Sequence, residues 1–203
     1  MFVYFSGLAL GLSLVTALGP QNVFLIRQGA LRQYAVLSAA VCFVCDIILV
    51  SASVTGLHQL LTVHPTLKTW ITCAGALFLF YYGFLALRRA IKQLPNESIQ
   101  LNGTSNRLQI ILLSLGFSLL NPHAIIDTLI IIGGNSSQFP GHQHAFLMGV
   151  ITSSFLWFTL LTLLTQFFSN LLTQQTIWRR LEFASGVLMM ILGLKLALTH
   201  FFY

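Results

Sequence analysis

The chain has 203 residues, of which 56% are hydrophobic and 7% charged, with a formal net charge of +6. Soluble globular domains carry about 25% charged residues, so this chain has too little polar surface to coat a water-soluble core. With 17 Phe and a mean hydropathy of +0.84, an all-α membrane protein is the expected fold class.

About 20 apolar residues cross the hydrocarbon as a helix, and only helices satisfy the backbone of such runs. Six candidate spans follow in chain order, at about 3–26, 35–60, 67–87, 108–134, 144–169 and 181–202. The expected organisation is one integral membrane domain over 1–203, with a first three-helix half at 1–94, a cytoplasmic linker at 95–107 and a second half at 108–203. The first span lacks the basic flank of a signal peptide, and its apolar stretch is longer than the core of one. It carries Gly7 and Gly11 at a spacing that suits close helix packing, and it is interrupted by Leu18-Gly19-Pro20-Gln21-Asn22. Pro20 has no amide hydrogen to offer the Thr16 carbonyl and should disturb the helix there.

Arg27 and Arg32 follow in the first loop, Arg88, Arg89, Lys92 and Arg107 in the third, and Arg179 and Arg180 in the fifth. The opposite loops hold only Lys68, so the basic loops are expected in the cytoplasm and both termini outside. The net charge is thereby explained by topology and contact with anionic lipid, and no nucleic-acid partner is expected.

Span two places Asp46 at its centre, with Ser38, Cys42, Cys45 and Ser53 within about a 100° arc of it. That arc suits either a pathway or a packing face. Cys42-x-x-Cys45 has redox spacing, but with Cys73 the cysteine count is odd and no disulfide framework follows. The longest loop, about 88–107, is a polar linker too short for a nucleotide-binding domain, and no phosphate-loop motif occurs. Span four contains the second interruption, Leu120-Asn121-Pro122-His123, followed by Asp127.

A carboxylate at the bilayer centre costs about 2.5–3.5 kcal/mol on insertion scales, so Asp46 and Asp127 are site candidates, against the plainer reading of a helix–helix contact or internal ion pair. Glu97 and Glu182 read as surface charges, the latter beside Arg179 and Arg180. His123 is a site candidate beside Pro122. His58, His64, His142, His144 and His200 sit in loops or at ends, and no metal site is expected. Pro20 and Pro122 lie 102 residues apart, each in the first helix of a three-helix half. An odd number of helices makes the halves inverted, and broken helices at matching positions of inverted repeats point to a transporter's central site. In an unbroken helix Asp127 points about 240° away from Asn121, so the two share a cavity only if Pro122 re-registers the helix.

The segment Gly19-Pro20-Gln21-Asn22-Val23-Phe24 resembles the lysine exporter family of amino-acid exporters. Arg32-Gln33-Tyr34, Cys45-Asp46, Asn121-Pro122-His123-Ala124-Ile125-Ile126-Asp127-Thr128 and Ser153-Ser154-Phe155-Leu156-Trp157-Phe158 carry the same resemblance over essentially the whole chain. Within the family, the pattern is most similar to the lysine and arginine exporters rather than the homoserine and threonine branch. The resemblance implies a secondary transporter, not an enzyme, that exports arginine, lysine or both across the bacterial cytoplasmic membrane. Coupling to the membrane potential, a proton gradient or both is implied, with no cofactor. Its motif positions are Gly19, Pro20, Gln21, Asn22, Asp46, Asn121, Pro122, His123 and Asp127. Lys195 joins them as a cation in span six able to neutralise an aspartate when the site is empty. The expected partners are the basic amino acid and membrane lipid, and a homodimer is an admissible assembly. Competing readings are an exporter of another small solute or divalent cation, and a membrane thiol–disulfide carrier.

Overall fold

The computed structural model describes residues 1–17, 19–54, 65–92, 106–120, 125 and 128–202. Every element among them is helical. In chain order these are α1 (Phe2–Val15), α2 (Pro20–Ala30), α3 (Ala35–Val54), α4 (Pro65–Lys92), α5 (Arg107–Leu119), a π-helical turn π1 (Thr128–Ile132), α6 (Gly133–Ser136), α7 (Gln143–Phe167), α8 (Ser169–Leu172) and α9 (Gln175–Phe202). Ala35–Ser53, Cys73–Ile91 and Gln143–Phe167 are each long and apolar enough to cross a membrane, and α1 with α2 passes as a pair bent by 78°. The protein is a multi-pass membrane protein.

The first expected span is broken. Residues 3–26 are not one kinked helix: α1 stops at Val15, and Pro20 opens a new helix at its first position. That is where proline fits best, because the first-turn amide it lacks has no intrahelical partner. As a result Arg27 lies inside the last turn of α2 rather than in a loop. In span four α5 runs to Leu119 and π1 covers Thr128–Ile132, and the expected interruption at Asn121, Pro122 and His123 lies outside the described residues. At 13 residues α5 is about 20 Å long, short of the ~30 Å hydrocarbon.

Packing follows the small residues. The first helix runs alongside α7 in the same direction. A methyl group on Gly7 would strike the Phe146 carbonyl, one on Gly11 the Ser153 hydroxyl, and one on Gly149 the Tyr4 carbonyl. The expected close-packing role of Gly7 and Gly11 is what the backbones require, since helix association in lipid relies on such contact. The same track continues past the break. Gly29 abuts Thr165, Ser169 Oγ donates to the Ala30 carbonyl at 2.6 Å, and Arg32 Nη2 to the Gln166 carbonyl at 3.1 Å. These bonds anchor the tight α2–α3 turn, in which Arg32 and Tyr34 take left-handed φ values of 52° and 50°.

Along α3 lie α5 and π1. The Cys42 and Cys45 thiols sit beside Ser118, and Gly133 presses on the Ser53 carbonyl, 2.9 Å from where a Cβ would stand. The arc read around Asp46 is therefore largely a packing face, with Ser38, Cys42, Cys45 and Ser53 all buried. None of the three cysteines is in a disulfide. The third pair is α4 with α9, whose Gly83 and Gly186 meet at the crossing. An aromatic block of Phe24, Phe78, Tyr82 and Phe117 fills the middle, with ring centroids 4.7–5.2 Å apart.

Candidate functional site

The break between α1 and α2 strips the last carbonyls of α1 of their helical partners. Asn22 supplies the replacement. Its Nδ2 donates to the Val15 and Ala17 carbonyls, both at 2.8 Å, and its Oδ1 accepts from Trp157 Nε1 at 3.1 Å. All the side chain's polar capacity of first importance is thus used inside the protein. Asn22 is a clasp that ties the break to α7.

Beside the clasp, the first intrahelical bond of α2 runs from the Val23 amide to the Gly19 carbonyl at 3.1 Å. The Gln21 and Asn22 amides come before it and have no helical acceptor. Both residues line a cavity of about 230 Å³. Gly19, Pro20, Gln21, Asn22 and Asp46 all line it, together with Thr128 and Ile132 of π1, Ser154 and Phe158 of α7 and Leu192 of α9. This volume is below the ~300–1,000 Å³ of typical ligand pockets and suits a single amino acid better than a peptide.

Asp46 accepts a hydrogen bond from Ser154 Oγ at 2.9 Å. Among the described residues it forms no ion pair. The Gln21 Nε2 next to it is buried and makes no hydrogen bond within the described protein. Among the described residues the cavity is therefore lined by a membrane-embedded carboxylate, the Gln21 amide beside it and the positive end of a helix dipole. Such a set can hold a cation and an anion at once.

The structure brings together Gly19, Pro20, Gln21, Asn22 and Asp46 from the sequence reading. Asn121, Pro122, His123 and Asp127 lie outside the described residues, as do His58 and His64. Thr128, which directly follows Asp127, faces the cavity. Lys195 is exposed on α9 and does not line the cavity. Ser154 and Trp157 were not read as site residues. Their signal was present as polar positions in the otherwise apolar Ser154-Phe155-Leu156-Trp157 run, one helical turn apart.

Glu182 overturns its reading as a surface charge. It is 3% exposed, with Oε2 at 3.3 Å from Arg89 Nε and Oε1 at 3.6 Å from Arg27 Nε. The reason is helical phase. Trp178, Glu182, Ser185 and Met189 share the buried face of α9, while Arg179 and Arg180 point outward.

The model of the family described as LysE type translocator matches residues 12–200. An arginine exporter protein ArgO of Salmonella schwarzengrund (strain CVM19633) is 36% identical over 198 residues, 96% of this chain and 92% of that protein. The protein of the same name from Klebsiella pneumoniae subsp. pneumoniae is 36% identical over the same shares, and that of Salmonella typhi 35%. No solved structure matches.

Proposed function

The chain belongs to the LysE type translocator family, and on that premise we propose that it exports basic amino acids, arginine foremost and lysine with it, across the bacterial cytoplasmic membrane. The similarity to proteins named arginine exporter supports arginine as the main substrate. The observation that carries the reading is Asp46, a carboxylate lining a cavity at a broken helix with a neutral donor and, among the described residues, no cation. Arginine and lysine bring both missing charges. The side-chain or α-ammonium cation pairs with Asp46 by a charge-assisted hydrogen bond. The α-carboxylate lies against the first amides of α2, with Gln21 Nε2 as a further donor. Asn121, Pro122, His123 and Asp127 belong to the same site in this proposal, with Asp127 as a second acceptor.

The arrangement that follows is two inverted halves, 1–94 and 108–203, joined by a linker at 95–107. The helix pairs support it. The broken first span lies parallel to α7, and α5 and π1 of the fourth span lie parallel to α3. Those two pairs exchange under a two-fold axis in the membrane plane, and α4 with α9 maps onto itself. Alternating access then consists of the halves rocking about the cavity. Gathering of Arg27, Arg89 and the Trp178 end of α9 at one end supports a cytoplasmic face there.

The test is efflux of labelled arginine and lysine from preloaded cells, with and without the protein. Accelerated efflux of arginine is expected. No acceleration of either, with the protein present in the membrane, would refute the proposal and favour another solute or a divalent cation.

A further inference from the structure

A second cavity, of about 80 Å³, lies on the side of the basic loops. Arg27 and Gln28 of α2, Tyr82 and Arg89 of α4, Gln109 of α5 and Glu182 of α9 contribute its polar lining. It is separated from the central cavity by the aromatic block, of which Phe24, Tyr82 and Phe117 form its own wall. One stripe of α9 connects the two. Glu182, Ser185 and Met189 line the smaller cavity and Leu192 the larger, about 15 Å along the helix from Glu182.

The ion pairs at Glu182 are not built as a tight structural staple. Strong arginine–carboxylate pairs are two-pronged, with N–O distances of about 2.7–2.9 Å. Here the arginine Nε atoms stand at 3.3 and 3.6 Å, and among the described residues the buried Oε1 makes no hydrogen bond. Buried carboxylates are ordinarily fully satisfied. Glu182 thus has acceptor capacity in reserve, and two cations share it.

We propose that Glu182 is a second, cytoplasm-side binding position for the cationic end of the exported amino acid, held by Arg27 and Arg89 until that cation displaces them. The inference rests on the export reading above. An incoming guanidinium or ammonium replaces like with like, so the carboxylate is never left bare in a dry site. Arg27 and Arg89, once displaced, are no longer bridged to α9, and α2 and α4 are free to move apart from it. A neutral side chain has nothing with which to displace them. Selection for a cation is therefore made here, before the solute passes the aromatic block to Asp46.

Uptake of labelled arginine by inside-out membrane vesicles reads the cytoplasmic face directly. Glu182→Gln is expected to raise the arginine concentration for half-maximal uptake about tenfold, with a smaller change in maximal rate. Arg89→Gln removes a competitor and is expected to lower it by about threefold. A merely structural ion pair predicts the same direction for both variants, or loss of maximal rate with the half-saturation unchanged, and either result overturns the proposal. Should Glu182→Gln not reach the membrane, Arg89→Gln decides alone: a lowered half-saturation supports the proposal, and an unchanged or raised one overturns it. Wild-type vesicles that take up no arginine would instead overturn the export reading, and this inference with it.

Discussion

Two carboxylates inside this membrane protein are treated in opposite ways. Glu182 is supplied with cations by the chain itself, from Arg27 on α2 and Arg89 on α4. Among the described residues Asp46 has a neutral donor, Ser154, and no cation, and it lines the cavity. A buried carboxylate that the chain neutralises joins helices. One that it leaves unneutralised beside a cavity fits a cation brought from outside. The pair teaches that depth in the membrane alone does not mark a binding group. The marker is a charge whose partner is missing, as at Asp46, or loosely held, as proposed for Glu182.

The largest expected effect is at Asp46. Asp46→Asn keeps the shape and the Ser154 contact but removes the charge. Loss of a charge-assisted partner costs on the order of 3 kcal/mol, so arginine efflux from preloaded cells should fall at least about 100-fold, with the protein still in the membrane. Asn22→Ala comes next. It frees the Val15 and Ala17 carbonyls and the Trp157 indole, at about 1–3 kcal/mol for each group left dry. The measurement is thermal stability in detergent alongside efflux, and both should drop. Unchanged stability would mean that the break holds without its clasp. Gln21→Leu removes the idle amide only. It should leave stability unaltered and raise the half-saturation for arginine about tenfold. Smallest is Ser154→Ala, which removes one hydrogen bond worth about 1 kcal/mol and should shift half-saturation about fivefold. A larger loss there than at Gln21 would show that Ser154 does more than orient Asp46.

Much of this comparison was legible in the sequence, and its limits are physical. Asp46 stood out because a charge in the middle of an apolar span is costly. Gly7 and Gly11 stood out because small residues at a four-residue spacing suit close packing. Pro20 marked the first interruption, although a new helix starting there was not distinguishable from a kink. Glu182 was misread because neighbours in sequence, Arg179 and Arg180, are not neighbours on a helix. Its real partners are 93 and 155 residues away, on α4 and α2. The buried stripe Trp178, Glu182, Ser185 and Met189 carried the needed signal. The role of Asn22 was not legible at all. Only the folded break shows that its amide is spent on carbonyls five and seven residues back.

The account turns on Asp46 meeting the cation of the solute. Equilibrium binding of labelled arginine to the purified protein in detergent tests this without the complications of coupling. The wild type should bind arginine saturably, in competition with unlabelled lysine, and Asp46→Asn of equal thermal stability should show no saturable binding. Binding by Asp46→Asn at wild-type affinity would contradict the central claim.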